Sequence, residues 1–170
     1  MNYIIREVKN EDIKELLNVY IQGYRYHQEG RNDIFANLSD EELEKDLINN
    51  LNELSTIVLI KDNKIVGYLS YKIKGKYKKK LDIDQLVIVE NYRGQGLGKK
   101  LVEQAKIIAK ENNCTRIELN CCLFNKNALS MYEHIGFERQ RIIYEMSLDG
   151  EWIWKSSNTW NLKKSTRDRQ

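Results

Sequence analysis

From Tyr3 to Val8 apolar and polar residues alternate, a period of two that predicts a strand with one covered face. Asn10 then stands as a helix cap before Ile13, Leu16, Leu17, Tyr20 and Ile21, which recur at helical spacing. Between residues 23 and 38 the period disappears, and aromatic and polar side chains mix as they do in functional loops. Ser39-Asp40-Glu41-Glu42 supplies a capping box for a second helix, with Leu43, Leu47, Ile48 and Leu51 along one side. Thr56 to Ile60 and Ile65 to Ile73 are β-rich runs separated by Asp62-Asn63-Lys64, which predicts a hairpin. Leu81 to Val89, almost wholly apolar after Gln85, reads as a central strand covered on both faces.

Leu97, Leu101, Val102, Ala105, Ile108 and Ala109 return to helical spacing, and Asn112-Asn113 offers the left-handed residue that ends a helix. A strand from Thr115 to Cys121, a short helix from Asn127 to Ile135 stopped by Gly136, and a long strand or hairpin from Phe137 to Leu148 complete the series. The expected order is β-α-α-β-β-β-α-β-α-β-β, an α/β sheet of about six to seven strands with helices on both faces. One domain over residues 1–148 accounts for all of it. Residues 149–170 form a basic tail that holds all three tryptophans, Trp152, Trp154 and Trp160, and is expected to fold back on the domain or meet a second copy in a homodimer.

Charge narrows the function classes. With 28 Lys and Arg against 25 Asp and Glu, the net charge of +3 is too weak a field to indicate a nucleic-acid partner. No apolar run is long enough for a membrane span and the N-terminus lacks the layout of a signal peptide, so a cytoplasmic location is expected. Cys114, Cys121 and Cys122 have no ligand-type spacing to His27 or His134, so no metal is expected and the cysteines read as reduced, half-buried strand residues.

The candidate chemistry lies in Arg93-Gly94-Gln95-Gly96-Leu97-Gly98-Lys99, between a buried strand and an amphipathic helix. Glycines there let main-chain N–H groups at a helix N-terminus approach a pyrophosphate, and Arg93 and Lys99 add positive charge. A dinucleotide loop would follow the first strand of its unit, whereas this one follows the fourth, and no Gly-Lys-Ser/Thr ending marks a P-loop.

The stretch from Val87 to Lys99 resembles the acetyl-CoA motif of the GNAT superfamily, Arg/Gln-x-x-Gly-x-Gly/Ala after a Val-x-Val strand end. Asn125 to Phe137, with Asn125, Ala128, Tyr132, Glu133, Gly136 and Phe137, looks like the second signature of that family. The resemblance implies a mostly antiparallel mixed sheet and acetyl-CoA as cosubstrate. It also implies a strand through Val87, Ile88 and Val89 that splays from the next one, so that the backbone of Val87 and Val89 binds the pantetheine arm. Asn125 becomes a side-chain contact to that arm and Tyr132 the partner of the thioester sulfur. Read without the resemblance, Asn125 is a helix cap and Tyr132 a packing residue.

Transfer to an amine needs a group that takes its proton. Asp82 and Asp84 share a strand face, and Leu81 to Leu86 resembles the segment of aminoglycoside 6'-type relatives in which an Asp precedes Gln-Leu, which gives Asp84 that place. Tyr24 and His27, in the aperiodic region, join Asp82 and Asp84 as expected contacts to the acceptor. The leading expectation is acetyl transfer to a primary amine of a small molecule such as a polyamine, amino acid or aminoglycoside. Alternatives are a protein N-terminal or lysine acetyltransferase and a noncatalytic acyl-CoA-binding module.

Overall fold

The computed structural model describes residues 2–146. Five strands, β1 (Tyr3–Glu7), β2 (Ser55–Lys61), β3 (Lys64–Lys74), β4 (Lys80–Ile88) and β5 (Arg116–Leu119), form one sheet in the order in which they occur in the chain. All neighbours pair antiparallel except β4 and β5, which run parallel. Four helices accompany them: α1 (Ile13–Gly30), α2 (Asp40–Glu53), α3 (Leu97–Glu111) and α4 (Lys126–His134).

Alternation along the strands divides the core in two. One face buries Ile57, Leu59, Leu69, Leu81 and Ile83 against Leu97, Leu101 and Ala105 of α3. The other buries Val58, Ile65 and Tyr68 against Leu16, Val19 and Tyr20 of α1 and Leu43 and Leu47 of α2. Leu16, Leu43, Leu59, Leu69, Leu81 and Leu101 are fully buried, each stabilising the fold by about 1.5–3 kcal/mol relative to exposure.

Local chemistry sets the element ends largely as expected. Ser39 Oγ accepts from Glu42 N–H while Glu42 Oε2 accepts from Ser39 N–H at 2.7 Å, closing the capping box. Asp62 and Asn63 both take positive φ (52° and 58°), the conformation a two-residue hairpin demands. Asn113 (φ 57°) and Gly136 (φ 97°) turn the chain after α3 and α4.

Elsewhere the structure differs. Asn10 lies inside a short 3-10 turn, and the cap is Asp12, whose carboxylate accepts from Lys9 N–H at 2.7 Å and pairs with Arg6 at 2.6 and 2.8 Å. Helix α1 continues to Gly30 and absorbs Tyr24 and His27 into regular structure. It can do so because Gly23 lets the helix approach β4, where an added Cβ would come 2.8 Å from Val87 Cγ2, and because its last turn packs on Phe124. Strand β5 stops at Leu119, so Cys121 and Cys122 lie beyond the sheet, half-buried and outside any disulfide among the described residues. Residues 137–146 form no strand, which leaves five strands among the described residues.

The chain divides into two compact units, Met1–Glu138 and Arg139–Gln170. The tail tryptophans and the end of the expected last strand lie outside the described residues. No helix among those described is long and apolar enough to cross a membrane.

Candidate active site

Strand β4 ends in a 3-10 turn at Glu90–Tyr92, and the glycine loop follows at once into α3. Gly94 (φ 73°) and Gly96 (φ 75°) adopt left-handed backbone, and a Cβ built on either would meet nothing within 4 Å. Both therefore face open space in a conformation costly for other residues. The N–H groups of residues 94–99 find no acceptor among the described residues, so the positive end of α3 is directed outward. Leu97 is buried and pins the loop to the core, while Gln95 accepts from Lys61 Nζ at 2.6 Å. Gly98 serves packing instead. Its Cβ would stand 3.0 Å from Met131 Sδ, so the missing side chain permits α3 and α4 to meet. Lys99 is exposed beside the loop.

Beneath the loop the sheet opens. Pairing of β4 with β5 ends at Ile83 and Leu119, whereas pairing of β4 with β3 continues to Ile88. Val89 donates its N–H to Val66 O at 3.0 Å and its carbonyl accepts from Tyr92. Antiparallel alternation then directs the backbone of Val87 toward β3 as well, and that of Leu86 and Ile88 toward the open side. The backbone groups of β4 that face away from β3 are thus those of Leu86 and Ile88 rather than those of Val87 and Val89. Arg93 Nε donates to Ile88 O at 2.9 Å, in keeping with a carbonyl that faces outward from the ladder. The Arg93 guanidinium also lies 5.2 Å from the Tyr26 ring centre.

Across the opening, Asn125 caps α4 by accepting from Ala128 N–H at 3.2 Å, and its oxygen also accepts from the Tyr26 hydroxyl at 3.3 Å. Its amide N–H₂ is not consumed by either contact. Tyr132 packs edge-on against Phe137 at 5.6 Å, and burial raises its pKa well above that of a free phenol, with Cys121 adding to the shift. A phenol in that state keeps its proton at neutral pH.

On the face covered by α1 and α2, β4 carries a bulge. Ser70 pairs with Gln85 and Tyr71 with Ile83, so Asp84 is the extra residue of the ladder. Its carboxylate has no hydrogen bond or ion pair among the described residues, and its pKa is raised by desolvation and by Asp82 and Asp46, against the opposing charge of Lys74. Asp82, by contrast, is engaged by Lys74 and by Lys80 at 3.6 Å, and Lys80 also binds Glu118. The two aspartates expected to work together are therefore in unlike states. Beside Asp84 lies a buried polar group that the sequence pattern did not predict. Tyr20 donates to Asp46 at 2.5 Å and accepts from Asn50 at 2.9 Å, and Tyr68 donates to Gln85 at 2.6 Å. A tyrosine amid the aliphatic run of β3 was the available signal, since a buried hydroxyl requires a partner.

Tyr24 and His27 face the segment that follows α1. Tyr24 donates to Ala36 O at 3.0 Å and packs edge-on with Phe35, while His27 lies within 5.7 Å of the rings of Phe35 and Phe124. Burial lowers the His27 pKa. Both residues anchor the segment between α1 and α2.

The acetyltransferase (GNAT) family model matches residues 11–137, a span that includes the loop, the split strands and both aspartates. The chain belongs to this family. Among relatives, an N-alpha-acetyltransferase MAK3 from Arabidopsis thaliana is 35% identical over 68 residues, which is 40% of this chain and 36% of that protein. A glucosamine 6-phosphate N-acetyltransferase 1 from Dictyostelium discoideum is 32% identical over 93 residues, 52% of this chain and 57% of the relative. The chain thus aligns with less than two thirds of the length of either. In fold it is similar to an aminoglycoside N-acetyltransferase solved in complex with CoA, with a TM-score of 0.66, 14% identity, and coverage of 86% of this chain and 95% of the other. The GNAT fold, a mixed sheet with helices on both faces, is shared with that structure.

Proposed function

We propose that this GNAT protein transfers the acetyl group of acetyl-CoA to a primary amine of a small molecule by direct attack. The observation that carries the reading is one juxtaposition: an outward-facing, left-handed glycine loop with uncommitted N–H groups stands next to the unpaired half of β4. The loop from Arg93 to Lys99 fits the pyrophosphate, because a side chain on Gly94 or Gly96 would fill the space a phosphate needs. Backbone groups of Leu86 and Ile88 fit the amides of the pantetheine arm as another strand would, with Arg93 released from Ile88 to meet phosphate charge. The amide of Asn125 reaches the same arm.

Asp84 orients the acceptor's ammonium and takes its proton, and Tyr132, held neutral, donates a hydrogen bond to the sulfur as the C–N bond forms and the C–S bond breaks. Asp82 adds negative charge to the acceptor side while remaining paired with Lys74 and Lys80. A second reading, acetylation of a protein N-terminus, is favoured by the 35% identity to the Arabidopsis N-alpha-acetyltransferase. Thiol release from acetyl-CoA, measured with spermidine, glucosamine 6-phosphate, kanamycin and a short peptide with a free N-terminus, separates the two. Turnover of one of the first three supports the proposal, turnover of the peptide alone replaces it with the second reading, and release from none of them overturns both.

A further inference from the structure

A bulge is a flexible place to mount a side chain that must meet a substrate amine. The extra residue has no ladder hydrogen bond to fix its plane, and in β4 that residue is Asp84. Its immediate neighbour Gln85 is held by a rigid partner. The Tyr68 hydroxyl donates to Gln85 Oε1 at 2.6 Å, and Tyr68 is 2% exposed in the core between the sheet, α1 and α2. The Tyr68 ring in turn stacks on Tyr20 at 6.3 Å, and the Tyr20 hydroxyl is fixed between Asp46 and Asn50 of α2. Two buried tyrosines therefore connect α2 to the residue beside the bulge, although neither hydrogen-bonds to Asp84 among the described residues.

We infer that the Tyr68–Gln85 hydrogen bond is a clamp that sets the geometry of the β4 bulge and so aims the Asp84 carboxylate at the acceptor amine. Tyr68 and Gln85 are positioning residues that act through Asp84. The clamp has the features such a role requires. Tyr68 has no rotamer freedom in a packed core, and its hydroxyl has Gln85 as its hydrogen-bond acceptor. Gln85 lies at the first paired position next to the extra residue, where a change in its side-chain anchor is transmitted through one peptide bond. Removing the hydroxyl takes away the hydrogen bond that Tyr68 gives to Gln85 beside the bulge, and a displacement of about an ångström at a reacting group costs up to about a hundredfold in rate.

This inference rests on the reading of Asp84 as the group that meets the amine. The test is a double-mutant cycle on the full chain, using acetyl-CoA and whichever amine of the panel above is turned over fastest. Tyr68→Phe keeps the ring and is expected to lower kcat about ten- to a hundredfold, with the KM for acetyl-CoA changed less than about twofold. Gln85→Met removes the other end of the bond and should reproduce that effect, and it carries the test if Tyr68→Phe melts below the assay temperature. In an Asp84→Asn background both substitutions should have no further effect on kcat, because they act on a carboxylate already removed. If they instead slow Asp84→Asn by their full factor, the clamp is overturned while the assignment of Asp84 stands. If Asp84→Asn itself turns over as fast as the parent, the assignment and the clamp fall together.

Discussion

Three side chains show how environment rather than residue type decides a role. Asp12 is buried against Arg6 and Lys9 N–H, and hydrogen bonding to Arg6 holds its pKa below the usual carboxylate value. A pKa that is lower in the folded than in the unfolded chain stabilises the fold fully above the unfolded value near 3.8, and that contribution is lost as pH falls through the folded one. Asp12→Asn should therefore cost about 1–3 kcal/mol in urea unfolding at pH 7, with the two proteins converging in stability in strong acid. Asp84 is shifted in the opposite direction by desolvation, by Asp82 of its own strand and by Asp46 of α2, against Lys74 of β3. A base must be ionised to act, so kcat/KM is expected to rise with pH along an acidic limb displaced upward from that of an unperturbed aspartate. Asp84→Asn should flatten that limb, and an unchanged profile assigns the proton to another group. Tyr132 is held neutral by burial, and Tyr132→Phe should reduce kcat by about one to three orders of magnitude while acetyl-CoA affinity stays within about twofold. Single-turnover kinetics with a separate binding titration measures both quantities.

The glycine loop works as an element, through backbone shape rather than through any one side chain. Gly96→Val would place a β-branched residue at φ 75° and put its side chain into the open space over the start of α3. The expected result is loss of at least about tenfold in acetyl-CoA affinity by calorimetry, and retained affinity would remove the loop from the binding site. The place of this loop was legible in the sequence because three glycines stand between an apolar strand and an amphipathic helix. The capping box at Ser39 and the stops at Asn113 and Gly136 were legible for the same local reason. What was not legible depended on tertiary contact. Helix α1 runs through Gly23 because β4 needs the space above Val87, and no period in the sequence announces that packing. The bulge at Asp84 is invisible in one dimension, since a ladder irregularity exists only relative to its partner strand, and it alters which backbone groups of β4 face outward. The Tyr68–Gln85 bond joins two strands through side chains that read separately as an ordinary strand tyrosine and a polar interruption.

At the scale of the molecule, the two clusters of the core meet at β4, which packs on α3 by one face and on α1 by the other. Acetyl-CoA bound as proposed, along β4 and at the start of α3, would therefore contact the strand common to both halves of the core. Ligand at about a hundred times its dissociation constant should raise the unfolding free energy by about 2.7 kcal/mol, observed as a single cooperative transition at higher temperature. A rise in only part of a split transition would show that the two clusters melt separately.

The strand order of the sheet has a consequence for synthesis. Each of the five strands lies beside the one before it, so none must be threaded between two already in place. A nascent chain that has emerged as far as Tyr92 already holds β1 to β4 and both helices of one face, and it can form that half while the ribosome is still reading the codons for the glycine loop. The next addition, β5, must return across α3 to pair parallel over four residues, a non-local closure that is intrinsically slower than the hairpins before it. Pulse-labelled hydrogen exchange during refolding should accordingly find the amides of β2 and β3 protected before those of β5, so that the strand carrying Asp84 is held on its β3 side before β5 joins its other edge.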